Sequence, residues 1–176
     1  MHQEKAPAAD AFATAIADEI PRLRRFARVL TRSGDAADDL VQETLLRAIA
    51  ARDQFEAGTN LRAWLFTILR HARAAAARRA ARSPIMPSDT LPESPVSGGQ
   101  EERQAMRDVA NAFRRLAHIH REALWLVVVE GLDYAEAARI LNVPPGTLRS
   151  RLSRAREALR ESIGAPPTPG GSEDED

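Results

Sequence analysis

The stretch "SPIMPSDTLPESPVSGGQ", residues 83–100, holds four prolines and two glycines among several Ser and Thr. Such a mixture cannot continue a helix and buries little apolar surface, so it reads as a flexible linker. It divides a chain of 176 residues into two halves, each able to bury only a limited core. Two small domains are expected, 1–82 and 101–164, followed by "APPTPGGSEDED", where residues 165–176 read as a disordered acidic tail.

On the N-terminal side, apolar residues recur at helical spacing. They form four groups: Phe12, Ile16 and Ile20; Leu23, Phe26, Ala27 and Leu30; Leu40, Thr44, Leu45, Ala48 and Ile49; Leu61, Trp64, Leu65, Ile68 and Leu69. The pattern predicts four helices and no strand. Pro21 suits the first turn of the second, Asp35 can cap the third and Asn60 the fourth. Beyond the linker, Met106, Val109, Phe113 and Leu116 mark a fifth helix, and Leu124 to Val129 fall in a sixth. Asp133 with Glu136 three residues on is a capping box for a seventh helix ending near Leu141. Pro145 opens an eighth, which Gly164 and the prolines after it end. No internal repeat is visible, and the expected fold class is all-α.

Composition narrows the function less than charge placement does. Twenty-five basic and 25 acidic residues cancel, so any attraction to nucleic acid must be local. From Ala57 to Ser88 there are six arginines and no acid, whereas Asp35 to Glu43 holds four acids and no base. Lys5 is the only lysine, so the positive charge sits on fork-shaped guanidinium groups suited to phosphate and base edges. Cysteine is absent, which removes disulfides and thiolate metal sites. No N-terminal apolar run resembles a signal peptide or a membrane span, so a cytoplasmic protein without membrane insertion is expected.

The segment "DYAEAARILNVPPGTLRSRLSRAREALR" reads as two helices separated by a Pro-Pro-Gly step. In the second, Leu148, Leu152, Ala155 and Leu159 form one buried stripe, which leaves Thr147, Arg149, Ser150, Arg151, Ser153, Arg154 and Arg156 displayed. A bland alternative is that these arginines only solvate the helix and pair with Glu157 and Glu161. The capped helix and tight turn before them favour a helix-turn-helix, whose second helix enters the major groove. Thr147, Arg149, Ser150, Arg151 and Arg154 are then the candidates for DNA contact, arginine reading guanine or binding phosphate.

"REALWLVVVEGLDYAEAARILNVPPGTLRSRLSRAREALR" resembles domain 4, the promoter-recognition domain, of bacterial sigma factors of the extracytoplasmic-function class. "DAADDLVQETLLRAIAARDQF" and "TNLRAWLFTILRH" resemble domain 2 of the same family, and "WLFTILR" is similar to its alphaproteobacterial general-stress subgroup. The resemblance implies a non-catalytic specificity subunit that binds core RNA polymerase and opens promoter DNA, not an enzyme. The polymerase contacts it implies are the beta-prime coiled coil and the beta flap, and an anti-sigma factor would restrain the protein. Asp38, Asp39, Gln42 and Glu43 match the segment that docks on the beta-prime coiled coil, although Asp35 and Asp38 also suit a helix N-terminus on their own account.

"FEAGTN", Phe55 to Asn60, matches the loop that in this family captures a flipped-out base of the downstream promoter element. Thr59 and Asn60 are the implied contributors, with helix capping an equal explanation for Asn60. The spacing of Trp64 with Leu61 and Ile68 places it in the core. Arg62, Arg70, Arg73, Arg78 and Arg79 are implied to track promoter phosphates. The chain departs from the family pattern at His71 and Ala75, where many relatives have Asn and Asp, so phosphate binding is the reading retained for this segment. His118 and His120 suggest a helix start rather than a metal pair, and neither metal nor cofactor is expected. The implied linker lets the two domains separate on polymerase or close on an anti-sigma partner. Two rivals remain: a sigma mimic that sequesters an anti-sigma factor, and a stand-alone helix-turn-helix regulator.

Overall fold

A computed structural model describes residues 6–31, 33–82 and 100–164. The expected tail lies outside the described residues, as does the expected linker save Gln100, which opens a helix. Among the described residues every regular element is helical. These elements are α1 (Ala6–Leu30), α2 (Gly34–Ala50), a single 3-10 turn (Arg52–Gln54), α3 (Leu61–Arg82), α4 (Gln100–Arg115), α5 (His118–Leu124), a π-helical turn (Trp125–Val129), α6 (Tyr134–Leu141) and α7 (Pro145–Ser162).

The first two expected helices are one. Ile16, Leu23, Phe26, Ala27 and Leu30 are buried on a single stripe of α1 that runs past Pro21 without a change of phase. Pro21 lies on the exposed face, where water can satisfy the carbonyl that the ring leaves unbonded. Packing of the stripe against α2 and α3 therefore overrides the break that a proline favours. The cap of α2 is also corrected: Ser33, not Asp35, accepts from the Ala36 amide at 3.2 Å, and Asp35 lies in the first turn.

α1, α2 and α3 enclose the first core, in which Phe26 and Phe66 pack at 5.0 Å between ring centroids with Leu23, Leu65 and Leu69 around them. Trp64 sits at its edge between Phe55 at 5.3 Å and Phe12 at 6.3 Å, which agrees with the core role its spacing predicts. The loop between α2 and α3 is held down by Phe55 in this cluster, and Asn60 caps α3 by accepting from the Ala63 amide at 3.1 Å.

In the second half α5, α6 and α7 join through Leu124, Leu126, Ile140, Leu141, Leu148, Leu152 and Ala155, a group continuous with the apolar core of the first half. Of the four apolar residues that mark the fifth helix, Met106 and Val109 are exposed, whereas Phe113 packs against the core and Leu116, just past the end of α4, is buried. The valine run after Leu126 belongs to the π-helical turn, and Val128 and Val129 point outward. The helix-turn-helix turn is made by Asn142, in the left-handed conformation at φ 50°, and by Pro144; Gly146, expected in the turn, is already inside α7. Asn tolerates that conformation better than most residues with a Cβ.

α3 lies along α6, and α1 meets α5, so the two halves are packed on one another. His120, on α5, faces α7. Burial, the guanidinium groups of Arg154 and Arg151, and His118 all hold its imidazole below the usual value near 6.5.

Two outcomes follow from this packing. Pro21→Ala restores a helix hydrogen bond at an exposed site, offset in part by the freer unfolded chain, and is expected to stabilise by about 1–2 kcal/mol in a urea titration. Because His120 is easier to protonate in the unfolded chain than in the folded one, its contribution is present above pH 6.5 and is lost as pH falls through the depressed folded value. Melting temperatures measured across that window should fall less steeply for His120→Asn than for the parent.

Candidate nucleic-acid interface

α7 is fixed by the burial of Leu148, Leu152 and Ala155, and this orients the rest of the helix. Arg149, Ser150 and Arg154 are exposed, whereas Thr147 and Arg151 are half-buried. The Ser150 hydroxyl donates to the Thr147 carbonyl at 2.9 Å, which ties two candidate contact residues together in the first turns. The structure thus places all five residues predicted for this surface on the first ten residues of one helix. Its geometry suits insertion into a groove about 12 Å wide, with guanidinium groups on the leading face.

A second surface runs along α2. Asp38, Asp39 and Gln42 are exposed; Glu43 is half-buried and pairs with Arg47 at 2.7 Å, and Asp38 pairs with Arg24 at 3.6 Å. Leu46 and Ile49 continue the line of Asp39 and Gln42 toward the C-terminus and are 66% and 55% exposed. The sequence reading assigned Ile49 to the core and passed over Leu46. One helix face therefore carries acids at one end and bare apolar side chains at the other, a composition suited to burial against a partner.

The third group, on α3 and the loop before it, is not open to solvent in the same way. The Arg62 Nε donates to Glu19 at 3.0 Å. Arg70 lies 3.6 Å from Glu122 and donates to the Ile140 carbonyl at 3.3 Å. Arg73 donates to Glu122 at 3.1 Å and to the Leu30 carbonyl at 2.8 Å. Thr59 donates to the Glu56 carbonyl at 2.7 Å, inside the loop, and the Asn60 amide group donates across to Glu136 at 2.9 Å. Thr59 and Asn60 are exposed in the loop, as are Arg78 and Arg79 on the last turns of α3, beyond its last buried residue, Ala72.

Glu122, Glu130 and Glu136 make this seam between the halves. Glu122 is only 3% exposed, and Glu130 is buried as well, accepting from the Trp125 indole at 3.1 Å and lying 3.8 Å from Arg22. Leu30 ends α1, and Ile140 is next to the end of α6, so both carbonyls carry the partial negative charge of a helix C-terminus. Two guanidinium groups are thus held by a carboxylate and two helix ends. The sequence points to Glu136 only as a capping-box residue and not to Glu122 or Glu130; the available signal is Glu122 itself, an acid three residues after Ile119 and four before Leu126 on the apolar stripe that runs from α5 into the π-helical turn.

Among the described residues no three His, Cys, Asp or Glu side chains converge as a metal site, and no helix is long and apolar enough to cross a membrane.

Residues 16–71 match the family described as the Sigma2 domain of PhyR, and residues 106–159 match Sigma-70, region 4. The chain is 41% identical over 158 residues to the ECF RNA polymerase sigma factor EcfG of Rhodopseudomonas palustris, covering 87% of this chain and 85% of that protein. It is 40% identical over 137 residues to the probable RNA polymerase sigma-C factor of Mycobacterium bovis, covering 77% and 74%. The sigma factor RpoE of Bartonella quintana, solved with the anti-sigma factor NepR, superposes with a TM-score of 0.76 at 37% identity, over 88% of this chain and 97% of that one. With both domains present in order, and with such identity over most of the length of its relatives, the chain belongs to the extracytoplasmic-function RNA polymerase sigma factors.

Proposed function

We propose that this sigma factor binds core RNA polymerase through α2 and the second domain, reads promoter DNA with α7 and α3, and is restrained by an anti-sigma factor. The observation that carries the reading is the face of α7: a helix anchored by three buried residues and showing Thr147, Arg149, Ser150, Arg151 and Arg154 to one side. In this reading 1–82 serves polymerase docking and downstream-element recognition, and 101–164 serves upstream-element recognition. Asp38, Asp39, Gln42 and Glu43 on α2 meet the beta-prime coiled coil, with Leu46 and Ile49 supplying apolar area beside them. Thr59, Asn60, Arg62, Arg70, Arg73, Arg78 and Arg79 face the downstream element, with Asn60, Arg70 and Arg73 released to it once the seam has parted.

Anti-sigma control is supported by the likeness to a sigma factor solved with NepR. A general-stress role rests on the same likeness and on the identity to EcfG. One observation favours a second reading, the sigma mimic: the family matched by the first half is drawn from PhyR, whose own complex with NepR is described as that of an anti-anti-sigma factor. The arginine face of α7 has no use in that reading, which would need only the anti-sigma surface.

Run-off transcription with core polymerase on promoters pooled from the source genome separates the two. The parent is expected to yield discrete transcripts that Arg149→Ala with Arg151→Ala loses by about 30-fold or more, since each arginine contact with a base is worth about 1–3 kcal/mol. Binding to an anti-sigma factor without any transcript would establish the mimic. Leu46→Asp places a charge on the exposed apolar end of α2, where folding does not need the leucine. Its affinity for core polymerase, measured by fluorescence anisotropy, should fall about tenfold, with the helical circular dichroism unchanged.

A further inference from the structure

From the seam we infer that Glu122 is an internal stand-in for a DNA phosphate: the closed chain and the promoter backbone compete for the same two guanidinium groups, Arg70 and Arg73. The inference rests on the proposed DNA role of α3 and adds how that surface is regulated.

The geometry is that of an occupied anion site. Arg70 and Arg73 are three residues apart on α3 and therefore share a face. They converge on the two oxygens of one carboxylate, Arg73 on Oε1 at 3.1 Å and Arg70 on Oε2 at 3.6 Å. Arg73 is oriented from within its own half by the Leu30 carbonyl at 2.8 Å, so its fork keeps its direction when the other half leaves. A phosphodiester offers the same chemistry as the carboxylate: two anionic oxygens on one centre, accepting from guanidinium donors. Glu122 comes from α5, a helix of the other domain, and supplies that chemistry only while the domains are packed together.

Two further contacts act in the same direction. Asn60, in the loop before α3, donates to Glu136 of α6, and Arg22 of α1 lies 3.8 Å from Glu130. Each joins the halves through a carboxylate of the second domain, so closing the chain occupies polar groups of the first domain with acids. α7 takes no part in these contacts, and Arg149 and Arg154 stay exposed while Arg70 and Arg73 of α3 are engaged. The free protein therefore offers α7 and the exposed end of α3 and withholds Arg70 and Arg73. Whatever parts the domains frees both arginines in a single step.

The test uses the full chain without polymerase and a fluorescein-labelled 20-base-pair duplex of non-promoter sequence, because phosphate contacts do not depend on sequence. Affinity is measured by anisotropy over a fourfold range of salt. Glu122→Gln keeps the side-chain shape and removes the charge. Two phosphate contacts added to those of α7 should steepen the salt dependence by about 1.8 in log–log slope, or about twelvefold in affinity across that range. Adding Arg70→Ala and Arg73→Ala to Glu122→Gln should return the slope to that of the parent. Arg22→Gln, a substitution at a half-buried side chain outside the arginine pair, should move the slope in the same direction by weakening the Glu130 contact; it is read in place of Glu122→Gln if that variant loses its helical circular dichroism.

An unchanged slope overturns the inference, whether or not small-angle scattering shows the chain to have opened. So does a steeper slope that survives loss of Arg70 and Arg73. Failure of the sigma reading shows itself separately, as absent transcripts in the presence of core polymerase, and leaves the salt slope free to decide on Glu122.

Discussion

A carboxylate that is 3% exposed on an otherwise apolar helix stripe constrains everything near it. Left alone, Glu122 would work against the packing of α5 in the core, because an unpaired buried charge costs several kcal/mol. The cations within reach come from α3, on the other side of the linker, so pairing Glu122 means docking one domain on the other. Arg73 is already committed to the end of α1, and Arg70 to the end of α6, which fixes both the distance and the rotation at which α3 meets α5 and α6. The relative placement of the halves thus follows from where two guanidinium groups can be neutralised, together with the apolar contact that joins the two sets of buried side chains.

Such a seam is a poor source of stability and a good source of definition. The desolvation of three charged groups roughly offsets their attraction, so the docked arrangement gains little net free energy from the pairs themselves. Removing one partner alone is costly, which makes the arrangement specific without making it permanent. Interfaces between domains of one chain tend to be polar and separable for the same reason.

The helical content and most boundaries were legible because each depends on near neighbours in sequence. The stripe Leu148, Leu152, Ala155 placed α7 and its arginines, Asp133 marked the start of α6 by accepting from the Glu136 amide at 2.7 Å, and Trp64 declared its core position by spacing. Pro21 misled, since the local cost of a proline was weighed without the packing of a 25-residue helix on both sides of it. Leu46 and Ile49 were opaque for another reason: apolar residues at helical spacing look alike whether they face a core or a partner, and both prove to face outward. The seam was the least visible part. Glu122 lies 49 residues from Arg73, and Asn60 lies 76 from Glu136, beyond any periodic signal.

The seam also explains why arginine, rather than lysine, suits α3. A lysine at position 73 could reach Glu122 or the Leu30 carbonyl with its compact ammonium, but it has no fixed fork to span both. The planar guanidinium of Arg73 uses Nε for the carbonyl and Nη1 for the carboxylate. The first contact lies within its own domain and the second across the seam. When the domains part, the first persists, so the second donor is left already aimed at the place an anion must occupy. Little side-chain entropy then remains to be lost when that anion arrives, and the exchange of a carboxylate for another anion becomes nearly a substitution in place. On this account the closed protein keeps its arginines oriented for their external partner while denying access to it.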